Sequence, residues 1–351
     1  MKAKNRRRIG YSVIEQYNSL VFLKDFLEDK KLEGYLATLN KSIDEVHRLS
    51  ISEQQKIINL FPVNIPQIGG DFPKGQNNQY VYLNNTKLNK FLFQNHFDYN
   101  VWREENGLRT IKEIDCLAYR YTKFESNDIF ENLSIENILF LIKNIDLKLF
   151  SYVKRTVENN IIYADIDTLR CVHLPLSETS FLVFPNSKKE AFSEIYILHE
   201  ISHVILNYYQ TKYDIILSLE AEEGLAHFIE SAICNNLIKE ELDEYKRLLT
   251  NLLIENSCKL NFQIELFKNF KKYRTKSSKE ELYRSIFSTF GISVTDSFTT
   301  IFQELPPFYS ASYIVGQEEA IKNIGNIDFF ELIKILKIKL SSRDSNTITF
   351  Y

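Results

Sequence analysis

The run His199-Glu200-Ile201-Ser202-His203 carries the residue types for metal-assisted hydrolysis at the spacing that chemistry needs. Two histidines four apart on a helix lie one above the other on a single face, roughly 6 Å apart at Cβ. Imidazole nitrogens so placed can reach one ion at about 2.0–2.1 Å. Glu200, one residue beyond His199, stands beside such an ion rather than on it. There it can take a proton from a metal-bound water and deliver it to a leaving amine. A helix with two surface histidines is the bland alternative, and the flanks argue against it. Tyr196-Ile197-Leu198 and Val204-Ile205-Leu206 predict a helix buried on more than one face. A buried imidazole pair needs polar partners, which an ion supplies. The chain holds only six histidines, so the pattern is not a by-product of their abundance.

A catalytic zinc site takes three protein ligands and keeps one position open. Glu220, Glu222 and Glu223 all follow His203 at a workable distance. Glu223-Gly224-Leu225-Ala226-His227-Phe228-Ile229-Glu230 resembles the E-G-F-A-x-Y-x-E run of the zinc aminopeptidases, whose first Glu is the third ligand. Its placement twenty residues after His203 is similar to that in the thermolysin group. Together the likenesses imply a gluzincin, an H-E-x-x-H peptidase with a Glu as third ligand, and hence a zincin-like catalytic fold. They imply Glu223 as the ligand and Glu230, two turns on, as the carboxylate that orients an imidazole N–H. The chain departs from both parents. Thermolysin-like enzymes have an acidic residue four after the ligand, where this chain has His227. The aminopeptidase spacing selects Glu222 instead, and Glu220 is a third alternative. His227 is a candidate for a metal-side polar group or a substrate contact, or else a supporting or core histidine.

Pro307-Phe308-Tyr309-Ser310-Ala311-Ser312-Tyr313-Ile314-Val315-Gly316 resembles the tyrosine-rich segment of oligopeptidases of the thimet and oligoendopeptidase kind. That resemblance implies Tyr313, and after it Tyr309, as phenols that stabilise the developing oxyanion; packing is the other reading in a chain with 20 Tyr. By the same resemblance Phe181-Leu182-Val183-Phe184 forms the edge along which a substrate backbone lies, a plain core strand being the alternative.

The elements that must position these residues follow from patterning. Helical spacing runs through residues 12 to about 60, from 129 to 158, across the motif to about Tyr209, and from near Ser218 past Ile233. Short strands are predicted at Ile161–Ile166, Leu169–Leu174 and Phe181–Phe184, with two more suggested near Tyr80–Leu83 and Leu117–Phe124. Capping boxes are predicted at Ser187–Glu190 and Ser278–Glu281, and a last helix over Phe329–Leu340. Gly69-Gly70, Pro73 and Gly75 mark a linker, and Pro306-Pro307 a break. The expected class is α+β, predominantly α, with a small sheet. The expected division is an N-terminal helical or mixed region over 1–125 and a catalytic region over 126–351.

With 351 residues, 44% hydrophobic and 25% charged, the chain reads as an ordinary globular protein. A net charge of −3 gives no reason to expect a nucleic-acid partner. Arg6-Arg7-Arg8 and the lysines of 268–279 read as solvated. Cys116, Cys171, Cys234 and Cys258 are scattered and read as reduced thiols. Apolar runs fall short of the ~20 residues a membrane span needs, and the N-terminus lacks a leader pattern, so a cytoplasmic location is expected.

The expected cofactor is Zn2+, with a peptide or protein as substrate. The alternative is Fe2+: two His and a carboxylate also make up the facial triad of 2-oxoglutarate-dependent oxygenases, although no Arg or Lys stands out to hold 2-oxoglutarate. A non-catalytic relative that keeps the fold is the third reading, and the intact Glu200 speaks against it.

Overall fold

The computed structural model describes residues 12, 15–47, 133–166, 169–186, 194–213, 217, 219–302, 310–326 and 328–341. These divide into two compact units. The first takes in the described residues up to His47, those from Leu133 to Lys246 and those from Glu319 on; the second runs from Arg247 to Glu318. The linker, the strands expected near residues 80 and 120, the box at Ser187, the Pro306-Pro307 break and the expected boundary near 125 lie outside the described residues.

The first unit begins with helical residues 15–23 (α1) and Asp29–His47 (α2). Then come Ile135–Ile145 (α3) and Leu147–Asn159 (α4). Asp146 joins these two helices by capping the second: its Oδ1 accepts from the N–H groups of Lys148 (2.9 Å) and Leu149 (3.2 Å). Three strands follow, Ile161–Ala164 (β1), Arg170–Leu174 (β2) and Thr179–Pro185 (β3). The helices Glu194–Tyr213 (α5) and Leu219–Cys234 (α6) carry the motifs. Lys239–Lys268 (α7) starts in this unit, and Phe329–Ser341 packs against α5 and α6. Among the described residues the chain is mostly helical with one small three-stranded sheet, as the patterning predicts.

The sheet order is β1-β3-β2, with β3 parallel to β1 and antiparallel to β2. Side chains alternate across it. Ile162, Ala164, Leu174, Phe181 and Val183 face Leu20, Leu23 and Leu39 of α1 and α2. Ser180, Cys171 and His173 point the other way, toward α4 and α5. Gln16 fixes α1 to the turn after β2: its side chain donates to Ser177 Oγ (2.8 Å) and accepts from Leu176 N–H (3.2 Å).

One expectation is overturned here. Phe181–Phe184 is not an edge. It lies in β3, the central strand, whose backbone pairs on both sides and whose seven residues are all buried. The edge is β2. Its residue Cys171 stands opposite Leu182, whose N–H turns away to the carbonyl of Asn160 (3.0 Å). Antiparallel alternation therefore turns the N–H and C=O of Cys171 and His173 away from β3.

The second unit contains the rest of α7, Lys276–Thr289 (α8) and the start of Ser310–Asn323 (α9). The capping box opens three residues earlier than expected. Thr275, not Ser278, is the cap: its hydroxyl accepts from Ser278 N–H (3.0 Å), and Ser278 Oγ accepts from Thr275 N–H (3.2 Å). Ser278 thus fills the position usually held by Glu or Gln. No described helix is long and apolar enough to cross a membrane. Among the described cysteines, Cys171, Cys234 and Cys258 are free thiols.

Candidate metal centre

Helix α5 is buried along most of its length, with Leu198, Ile201, Val204, Ile205 and Leu206 each at 0% exposure. That burial fixes its rotation and turns His199, Glu200 and His203 toward α6 and β2. On α6 the residues Glu223, His227 and Glu230 fall at i, i+4 and i+7, one stripe facing α5. All three are buried.

The two stripes meet in a triangle of donors. His199 Nε2 and His203 Nε2 lie 3.3 Å apart, and Glu223 Oε2 lies 3.3 Å from His203 Nε2 and 3.5 Å from His199 Nε2. Ligands held at ~2.05 Å around a tetrahedral ion are separated by about 3.3 Å, so these atoms match one face of such a site. The fourth position of the tetrahedron belongs to none of the three. His199, His203 and Glu223 thus form a group that could hold a metal ion.

The opposite ring nitrogens have their own carboxylates. His199 Nδ1 lies 3.0 Å from Glu230 Oε2. A carboxylate only accepts, so Nδ1 donates, and in the neutral ring Nε2 is left as a lone-pair donor aimed at the triangle. His227 Nδ1 donates to the same Glu230 oxygen at 3.1 Å, and its ring lies against that of His199, 4.7 Å between centroids. Glu222 Oε1 stands 3.9 Å from His203 Nδ1 and accepts from the Gln210 amide (3.4 Å). Glu222 therefore sits on the far side of the second imidazole from the triangle. The Glu220 side chain lies outside the described residues.

The electrostatics show what the donor set demands. Burial disfavours a charged imidazole, yet hydrogen bonds to Glu223 and Glu230 outweigh it and raise His199 to about 9. His203 is likewise raised well above its usual value, burial being overcome by Glu223 and Glu222. Glu223 is held far below the carboxylate range despite burial, because His203 and His199 face it. Converging acceptors in a buried site call for positive charge, from protons or from a cation.

Glu200 occupies a different wall. Its Oε2 accepts the backbone N–H of Cys171 on β2 at 2.6 Å. Burial pushes its carboxyl up, while His203 and His199 pull it down. Behind the strand, Asn207, one turn past His203 on the same face of α5, donates to Cys171 Sγ and Ser180 Oγ, both at 3.4 Å.

Of the residues singled out in the sequence, His199, Glu200, His203, Glu223, His227 and Glu230 come together in the first unit. Tyr313 lies half-buried on α9 in the second unit, and Tyr309 is outside the described residues. Sequence reasoning missed Cys171, because a backbone N–H leaves no residue-type signal. It also missed Gln210, for which a signal existed: it follows His203 by two turns on the motif helix.

No family model matches the chain, and no curated protein matches it. The solved structure of PZ peptidase A with inhibitor 2 aligns with a TM-score of 0.43 and 14% identity, over 90% of this chain and 67% of that one. A likeness of that size carries no argument, and the site is read from its own geometry.

Proposed function

We propose that this chain is a zinc-dependent metallopeptidase of the gluzincin type, with a zincin-like catalytic region built on α5, α6 and the small sheet. The observation that carries the reading is the triangle of His199 Nε2, His203 Nε2 and Glu223 Oε2, with sides of 3.3, 3.3 and 3.5 Å. Its donor set of two imidazoles and one carboxylate suits zinc with an open position. When bound there, zinc supplies Lewis acidity toward a carbonyl and lowers the pKa of a coordinated water.

The rest is done by side chains. Glu200 is the general base, then the acid that protonates the leaving amine. The Cys171 N–H holds one of its oxygens and so fixes where the other points. Glu230 keeps the His199 proton on Nδ1 and its lone pair on Nε2. The substrate is a peptide or protein segment.

The experiment is metal analysis of protein purified without chelators, paired with cleavage of a peptide library by the wild type and by Glu200→Gln. One zinc per chain with cleavage lost in the variant supports the reading. Iron together with 2-oxoglutarate turnover would replace it by the oxygenase reading. Cleavage undiminished in Glu200→Gln would remove Glu200 from the chemistry.

A further inference from the structure

Glu230 is shared. Its Oε2 accepts from His199 Nδ1 at 3.0 Å and from His227 Nδ1 at 3.1 Å. The two imidazole rings overlap at 4.7 Å between centroids with a 40° tilt. All of these groups except His199 are nearly inaccessible to solvent. A carboxylate oxygen held by two N–H donors cannot turn toward either without stretching the other.

Along α6 the order is Glu223, His227, Glu230. The first reaches Nε2 of His199, the last reaches Nδ1 of the same ring, and His227 lies between them against that ring's face. Rotation of the His199 ring would break the Glu230 bond and collide with His227. The side chain of His227 offers its Nδ1 to the supporting carboxylate, and the triangle of donors is completed without it.

We propose that His227 is a positioning residue of the metal centre: it shares the Glu230 carboxylate with His199 and so locks the orientation in which His199 Nε2 meets His203 and Glu223. This deepens the proposed function and rests on its assignment of the three donors. It assigns His227 no contact with the substrate.

The test compares His227→Asn with His227→Gln. An Asn amide nitrogen falls near the place of Nδ1, whereas a Gln amide nitrogen falls near that of Nε2, so only Asn preserves the donor to Glu230. Both variants are polar and of similar size to the histidine. The measurement is zinc affinity by competition with a chromophoric chelator, alongside the thermal midpoint of each metal-free protein. The Gln variant is expected to bind zinc about 10–100-fold more weakly than the wild type. The Asn variant is expected to recover most of that loss, with metal-free midpoints of the two variants alike. Equal affinities in all three proteins would overturn the inference, as would a second zinc per wild-type chain that disappears in the Gln variant, which would make His227 a ligand. Wild-type protein that binds no zinc would overturn both this inference and the proposed function. Zinc bound in the predicted order of affinities, without any peptide cleavage, would uphold this inference and overturn only the peptidase reading.

Discussion

The Cys171 backbone N–H donates to Glu200 Oε2 at 2.6 Å, so the edge strand of the sheet and the motif helix are joined at the proposed general base. The bond has a charged acceptor, the kind worth about 1.5–3 kcal/mol when partly shielded from water. Behind the strand, the Asn207 amide donates to both Cys171 Sγ and Ser180 Oγ and so ties β2 and β3 to α5.

Cys171→Pro is the direct probe of that link. Proline is tolerated on an edge strand where the N–H does not serve the ladder, as at this position. It removes the donor to Glu200 and, like Cys171→Ala, the thiol contact. The expectation is a drop in kcat of about 10-fold for Pro, the equivalent of roughly 1.4 kcal/mol, and little change for Ala. Equal losses in both would assign the effect to the side chain.

Glu200→Gln keeps the size of the side chain and removes its basicity. Because Glu200 lies outside the donor triangle, zinc affinity is expected to stay at the wild-type level. The turnover rate is expected to fall about 10²–10⁴-fold, the usual contribution of a positioned acid–base group. Equilibrium dialysis against zinc and single-turnover kinetics separate the two quantities.

The carboxylates near the histidines should rank by position. Glu223→Gln alters a donor of the triangle and is expected to weaken zinc binding by more than about 100-fold. Glu230→Gln alters a hydrogen bond of 3.0 Å behind His199 and belongs in the about 10–100-fold range of supporting groups. Glu222→Gln, at 3.9 Å from His203 Nδ1, is expected to have the smallest effect. Chelator competition gives all three numbers, and a Glu222 effect larger than that of Glu223 would exchange their roles.

Lys279 supplies a pH dependence outside the metal centre. Its side chain is buried in the second unit, with Nζ donating to the Arg274 carbonyl at 3.3 Å, and burial lowers its pKa from 10.5 to about 8. The folded state thus releases this proton before the unfolded state does. Stability is gained as pH rises from about 8 toward 10.5, and is lost again as pH falls through 8. The thermal midpoint of the wild type, measured against that of Lys279→Met, is expected to climb between pH 7 and pH 10. A constant difference between the two would show that Lys279 keeps its ordinary affinity for protons.

The parts of this fold that were legible share one property, a period that only one element can satisfy. His199 and His203 at i and i+4 between apolar flanks can be little else than one face of a buried helix, and Glu223, His227 and Glu230 repeat the logic on α6. The strand Phe181–Phe184 was legible as a strand and misplaced within its sheet. Its unbroken apolar run is what burial on both faces requires, and an edge exposed on one side would alternate. Arg170-Cys171-Val172-His173, with a polar residue at each end of the run, lies in an outer strand of the described sheet. The cap of α8 could not be placed by residue type, since Thr275 and Ser278 are both good caps and the choice rests on which hydroxyl meets which amide. The amide of Cys171 was beyond reach of the sequence, because every residue except proline has one.

The central claim is that one ion sits between His199, His203 and Glu223. Crystals of zinc-loaded protein measured across the zinc absorption edge would locate it. The account predicts a single strong anomalous peak at about 2.0–2.2 Å from His199 Nε2, His203 Nε2 and a Glu223 carboxylate oxygen. A peak elsewhere, or zinc bound through the Nδ1 atoms beside Glu230 and Glu222, would contradict it.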